Sequence, residues 1–393
     1  MFRNPSFIGF ALGATLSFAA LGAQAELRYR LQELTHFDAI ASSGPLGPID
    51  HFIPQALNNR GHVVGYRLQE VQNEVIEYIQ TAHVFDGTRL APLPGSNVFR
   101  ESVATGINDR GQIVGGYLLP DTAWQIPYLY ADGRYRDLRV EATNTWGGAS
   151  GINASGHISG TAHGKAFFFD GTRSRYMDIP GAVASGAGPL NDQDTVVGRA
   201  HFDAPGGIPE ERTFVHHENG LRFLPKPLPD FQAPQVTDIN NAGQMVANVF
   251  NPGEQARRAF LYGADGRFAD LGGLSRTAGQ TVVEALNDRG WVVGQSESES
   301  CDLYTCTEAF LWRDGRMVSL NDLVVGPPGD EWYLSSAVDI NERGQIVGNG
   351  WRGGANYGAY LLTPVPQPPS GALWLAGLGL VGTLVRRRTA GQG

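Results

Sequence analysis

Ile107-Asn108-Asp109-Arg110-Gly111-Gln112-Ile113-Val114-Gly115 is a phrase that this chain repeats. Related forms begin at Leu57-Asn58, Ile152-Asn153, Leu190-Asn191, Ile239-Asn240, Leu286-Asn287 and Ile340-Asn341. The seven anchor asparagines stand 50, 45, 38, 49, 47 and 54 residues apart. Self-similarity at such a period marks a chain of supersecondary units that bury their faces on one another.

The phrase is itself a hairpin. A strand such as Ser102–Ile107 runs into Asn-Asp-Arg-Gly, and a second strand, Gln112–Gly115, leaves it. The asparagine bonds to nearby backbone and opens the turn, and the glycine accepts positive φ and closes it. A third, aromatic strand follows, as in Ala166–Phe169, Ala259–Tyr262 and Ala309–Trp312. It leads into Asp86-Gly87, Asp132-Gly133, Asp170-Gly171, Asn219-Gly220, Asp265-Gly266 or Asp314-Gly315. Asp-Gly and Asn-Gly are strong hairpin signals, so a fourth strand is expected after each.

Four antiparallel strands in about 40–50 residues make a propeller blade. The sequence thus predicts an all-β, seven-bladed β-propeller over residues 26–363. Six turns lead to a fourth strand, and the seventh copy stops at Ala359-Tyr360-Leu361-Leu362. The stretch Leu27–Leu34 reads like the missing strand and is expected to complete the last blade. That closure would remove an open sheet edge.

Both ends lie outside the repeats. Residues 1–25 carry Arg3, an apolar run from Phe7 to Leu21 and Ala23-Gln24-Ala25, the pattern of a secretory signal peptide. Residues 364–393 carry Pro366-Gln367-Pro368, a glycine-rich apolar stretch and Arg386-Arg387-Arg388. They predict a short hydrophobic helix at the edge of membrane-spanning length, with the arginines cytoplasmic. The order of proline motif, short span and basic cluster resembles the PEP-CTERM sorting signal of Gram-negative bacteria. That resemblance implies an exosortase-like processing enzyme as partner. The motif here has Gln367 in place of the family's glutamate, which leaves simple membrane retention as the alternative.

With these ends set aside, 26 basic residues face 39 acidic ones, a net charge of −13. Nucleic-acid binding is disfavoured by that sign. Export and an acidic body suit the cell surface or the extracellular space. In an oxidising compartment Cys301 and Cys306 are expected to close a local disulfide. Neither zinc nor redox spacing is present.

The Ile-Asn-x-x-Gly-x-Val-Val-Gly phrase precedes strands such as Glu308–Trp312 and Ala259–Tyr262, the latter continuing to Asp270-Leu271-Gly272. Together they resemble the HAF family of extracellular repeats, over most of residues 50–362. Ser159 and Asp194 depart from the pattern. The resemblance implies an exported repeat protein and carries over no catalytic residue.

Non-repeated residues are the better functional candidates, because sites sit where a regular scaffold breaks its own rule. Trp124, Trp146, Trp332 and Trp351 have flat faces suited to sugar or peptide, or else pack between blades. His201 lies in a long insert of the fourth repeat, and His216-His217-Glu218 follows. Adjacent His216 and His217 should face opposite sides of a strand. No contiguous carboxylate loop, nucleophile elbow or phosphate loop is found, so no metal, cofactor or catalytic residue is assigned. The reading is an exported, non-enzymatic binding or structural module with a polysaccharide or surface-protein ligand. The alternatives are a polysaccharide-acting hydrolase or lyase on the same scaffold, and an inert membrane-anchored spacer.

Overall fold

The computed structural model describes residues 27–34, 50–72, 76–120, 124–140, 146–204, 207, 209–218, 220–275, 279–298, 307–326, 331–353 and 356–366. The signal segment, the apolar stretch expected to form a helix, Gln367, Pro368, Arg386, Arg387 and Arg388 lie outside them, as do Cys301 and Cys306. Among the described residues, 28 strands form seven four-stranded antiparallel sheets. No helix among them is long and apolar enough to cross a membrane. The blades are 50–92, 101–137, 147–176, 184–223, 235–270, 281–319 and 332–364. Within the first six, the strands run in sequence order from the innermost to the outermost.

The last blade is completed from the other end of the chain. Tyr29–Glu33 forms its outer strand, pairing Tyr29 with Pro364, Leu31 with Leu362 and Glu33 with Tyr360. Tyr29 also exchanges backbone hydrogen bonds of 2.9 Å with Leu323 and Val325, beyond the outer strand of blade 6. The strand thus completes the last blade, as the strand count of the repeats predicts, and it also ties that blade to the segment after blade 6.

Cores lie between neighbouring blades. Phe52, Leu57, Val63 and Phe85 of blade 1 pack with Val347, Ala359 and Leu361 of blade 7. Val64, Ala82 and Leu93 meet Ala104, Ile107, Ile113, Tyr117 and Tyr128 of blade 2. Each fully buried large side chain contributes about 1.5–3 kcal/mol of hydrophobic stabilisation. No blade can realise this alone, which makes the ring cooperative.

The anchor asparagines do more than cap turns. Each Oδ1 accepts from the backbone N–H groups two and four residues on, at 2.9–3.1 Å. Each Nδ2 donates to the backbone carbonyl of the next blade's anchor asparagine, at 2.9–3.1 Å. The series runs from Asn58 through Asn108, Asn153, Asn191, Asn240, Asn287 and Asn341 back to Asn58. It is a closed circle, and every member is at most 5% exposed. In Asn108, Asn240 and Asn341 the second Nδ2 hydrogen reaches the glutamine four residues on. Only an amide supplies both the acceptor and the donor that this geometry uses.

An outer circle of the following residues runs beside it. Asp109 accepts from Asn59, Asp192 from Ala154, Asn241 from Asp192, Asp288 from Asn241, Glu342 from Asp288, and Asn59 from Glu342. The acids that follow the anchor asparagines are thus cross-links between blades. The circle breaks between blades 2 and 3, where Ala154 has no side chain to offer and the Arg110 guanidinium donates to the Ala154 carbonyl instead.

Candidate functional site

Every inner strand carries a β-bulge just before its anchor phrase. A bulge re-aims a side chain, here toward the propeller axis. The bulged residues Gln55, Thr105, Ser150, Thr237, Glu284 and Val338, with Gly188-Pro189 in blade 4, line an axial cavity of about 410 Å³. Their identities vary where the flanking phrase does not. The position three residues before each asparagine is the signal that reading the repeat for its constant residues passed over.

Two aspartates stand beside the bulges. Asp339 accepts from Leu57 N–H of blade 1 at 2.6 Å and from Ile340 N–H at 2.7 Å. Asp238 accepts from Leu286 N–H of blade 6 at 2.9 Å and from Ile239 N–H at 2.8 Å. Both line the axial cavity and are half-buried. Burial, reinforced by the charge of Asp339, raises the Asp238 carboxyl to about 8. Burial raises Asp339 to about 6 against the pull of its two backbone donors. Glu284 is raised to about 7 by burial, opposed by Arg257.

These shifts fix a sign. A carboxyl whose pKa is higher folded than unfolded stabilises the fold below its unfolded value, and that stability is lost as pH rises through the folded value. His51, His83 and His216 act oppositely, because burial lowers them and acid therefore costs stability below about pH 6.5. Above that the histidine contribution fades and the carboxyls dominate. Unfolding free energy is expected to fall by about 2 kcal/mol between pH 6.5 and 8, since one proton contributes up to about 1.4 kcal/mol per pH unit. Urea denaturation at several pH values measures it. Asp238→Asn should flatten the slope whatever it does to the absolute stability, and an unchanged slope would refute the assignment.

A second concavity lies at the opposite end of the strands from the anchor turns. It has a volume of about 620 Å³ and shares Ser150, Gly188 and Val236 with the axial cavity. Its polar wall is Arg199, His201 and Glu211, with Glu211 Oε2 3.7 Å from both Arg199 Nη1 and His201 Nε2. Register places them there, because His201 pairs with Ala184 and Glu211 while His216 pairs with Val196 beside the anchor turn. His201 and His216-His217 therefore occupy opposite ends of one blade. His216 and His217 both border a separate cleft with Asp192 and Asp194, on the anchor face between blades 3 and 4. Among the described residues no group of three or more His, Cys, Asp or Glu is placed to hold a metal ion.

The tryptophans part company. Trp124 and Trp146 are 58% and 41% exposed, with ring centroids 6.0 Å apart. Trp146 also meets His163 edge-on at 5.9 Å. His163 and Gly164, both at positive φ, make the two-residue turn between the second and third strands of blade 3. Gly164 lines the 620 Å³ concavity, and a Cβ on it would stand 3.9 Å from Trp146. The Trp pair thus borders the groove that holds His201. Trp351 stacks edge-on against Tyr357 at 5.0 Å, across the ring. Trp332 is 8% exposed and packs against Tyr360 at 6.3 Å, which makes it part of the wall of blade 7.

No family model matches the chain, and no curated protein matches it. Among solved structures it is similar to the acylaminoacyl peptidase of Pyrococcus horikoshii, at 12% identity and a TM-score of 0.49, over 81% of this chain and 52% of that one. It is similar to TolB from Acinetobacter baumannii at 12% identity and a TM-score of 0.40, over 77% and 64%. A third is dipeptidyl peptidase 4 of Porphyromonas gingivalis, at 9% identity and a TM-score of 0.46, over 76% and 50%. The chain spans about half to two-thirds of the length of these proteins. Likeness at this level adds nothing to the ring architecture already described.

Proposed function

We propose that this protein is an exported, non-enzymatic recognition scaffold of the HAF-like type, acting at the cell surface or in the extracellular matrix. In this reading the leader carries it across the inner membrane. The C-terminal segment is its sorting or retention signal, handled by an exosortase-like enzyme or left as a membrane anchor. The ligand is a polysaccharide or a surface protein.

The observation that carries the reading is the placement of the groove. Val365 N–H donates to the Arg28 carbonyl at 2.8 Å, and Gln345 Nε2 donates to Thr363 Oγ1 at 3.2 Å. The first and last residues of the ring therefore meet at the anchor face. The exposed Trp124–Trp146 pair and the groove with His201 lie on the other face. Solvent-exposed aromatics beside a concave polar wall suit recognition, with a rigid ring holding them in place.

The test is sedimentation of the mature protein with isolated cell-envelope and matrix material. A Trp124→Ala/Trp146→Ala variant is expected to lose at least tenfold in binding, while Arg110→Ala on the anchor face is not. Equal binding by the double variant would sink the proposal.

Glu284 favours a second reading, a polysaccharide hydrolase. A carboxyl with a pKa raised to about 7 in a cavity that shares wall residues with the groove has the property of a general acid. Against it, each oxygen of Asp238 and Asp339 is already held by a backbone N–H, so neither is free as the second carboxylate such chemistry uses. Reducing ends released from a polysaccharide by the wild type and not by Glu284→Gln would establish it.

A further inference from the structure

We propose that the groove over blades 2 to 4 binds a neutral glycan chain, one pyranose lying on the Trp124–Trp146 pair and the next presenting its hydroxyls to Arg199, Glu211 and His201. This rests on the recognition reading above and adds the chemistry of the ligand.

The aromatic end comes first. Two indoles 6.0 Å apart and tilted by 35° form a shallow exposed platform rather than a packed core. An indole face has the area and polarisability to cover the C–H face of a sugar ring, and its position is fixed at little entropic cost. Trp146 is held from below by the tight His163-Gly164 turn, whose imidazole is itself tied to Tyr176 Oη at 2.9 Å. Trp146 is therefore tied to the second hairpin of blade 3, and its carbonyl also accepts from His163 N–H at 2.8 Å.

The polar end follows along the same groove. Arg199 offers donors, Glu211 offers acceptors, and His201 offers either according to its tautomer. Their side chains are partly exposed, with Glu211 the most sheltered. A carboxylate and a guanidinium at one rim satisfy the paired donor and acceptor of vicinal hydroxyls. The space, about 620 Å³, lies inside the roughly 300–1,000 Å³ usual for ligand sites.

Charge selects among glycans. Arg199 is matched by Glu211 at 3.7 Å, so the wall carries no net positive charge to attract a polyanion. The surrounding body is acidic, with 39 acids against 26 bases outside the two end segments. A uronate or sulfated chain would meet repulsion at long range and an already engaged arginine at short range. A neutral chain meets neither.

The experiment applies the mature protein to an array of neutral oligosaccharides (cello-, malto-, laminari- and xylo-series) beside alginate, hyaluronan and heparin fragments. Any bound glycan is then titrated calorimetrically at low and high salt. The expected result is binding to at least one neutral series, strengthening from one sugar unit to about three and unmoved by salt. Trp146→Ala and Glu211→Gln should each weaken it at least tenfold, Trp351→Ala should not, and circular dichroism should show all three folded. Salt-sensitive binding to anionic chains alone would overturn the inference. So would neutral binding indifferent to Trp146 and Glu211. A blank array beside envelope binding that still requires Trp124 and Trp146 would overturn the glycan class and leave the recognition face standing. Envelope binding that ignores both tryptophans would remove the face as well.

Discussion

Asn287→Ala is expected to lower the unfolding free energy by about 3–5 kcal/mol. Asn287 is 2% exposed. Its Oδ1 accepts from Arg289 and Trp291 N–H at 3.1 Å, and its Nδ2 donates to the Asn341 carbonyl at 3.1 Å. Alanine leaves the Arg289 and Trp291 N–H groups without partners, each costing about 1–3 kcal/mol where water cannot reach, while the Asn341 carbonyl loses one of its two donors and keeps Gly344 N–H. Asn287→Asp should be no better at neutral pH, because a carboxylate oxygen would then face the Asn341 carbonyl. The neighbouring Asp288→Ala, on the exposed outer circle, should cost about 1 kcal/mol or less. Urea midpoints of the three variants measure the order. A loss below 1 kcal/mol for Asn287→Ala would show that the asparagine circle does not hold the blades.

The two circles divide labour with the cores. Apolar packing between blades is non-directional and would tolerate small shifts of one wedge against the next. The asparagine bonds do not, because donor and carbonyl must meet at about 3 Å at every interface. A closed series of seven such bonds fixes the angular step between blades, and the step fixes the number of blades that close. The axial cavity then follows from the bulges, whose residues differ from blade to blade without disturbing the circle beneath them.

Much of this was legible in the sequence, and what was not has a definite cause. The anchor phrase announces its hairpin because asparagine and glycine have local backbone roles. The shortage of one Asp-Gly turn announces that Leu27–Leu34 must supply an outer strand. The Nδ2 bonds between blades are long-range, joining residues 38 to 54 apart and, at the seam, 283 apart. No local rule gives them. The groove is harder still. His201 and the Trp124–Trp146 pair look alike in kind to Trp332 and Trp351, yet register and turn geometry gather the first three and bury Trp332. Glu284 was hidden in a strand of ordinary appearance, since nothing in Val282-Val283-Glu284-Ala285 marks the bulge. Blade 4 shows a substitution the repeat tolerates. Asp194 takes φ +59° where the other anchor turns carry glycine, and its freed carboxylate accepts from Asn153 Nδ2 and pairs with His157, both at 2.8 Å.

Gly294→Val is expected to cost at least about 3 kcal/mol, at the upper end of overpacking penalties. The glycine that ends the anchor phrase is the third residue of the second strand and faces an inner-strand carbonyl beside the bulge. An added Cβ would stand 2.1 Å from Ile53 O at Gly65, 2.0 Å from Val103 O at Gly115, 2.1 Å from Val282 O at Gly294 and 2.1 Å from Ser336 O at Gly348. These are backbone atoms and cannot swing aside. At Gly294 every close neighbour is backbone of Val282 and Val283, so trimming the facing Phe310 to alanine should give no relief. Gly198 differs, because Phe214 Cζ also lies 2.4 Å from the added atom and its removal should recover part of the loss. Blade 5 supplies the internal control. Ala247 already occupies this position opposite Phe260, and Ala247→Gly should cost only about 1 kcal/mol, from backbone entropy and one lost methyl. Comparing denaturation midpoints of Gly294→Val, Gly294→Val/Phe310→Ala and Ala247→Gly decides the matter. If the Phe310 truncation rescues Gly294→Val, the conserved shape of the repeat is set by the aromatic and not by the inner-strand carbonyl.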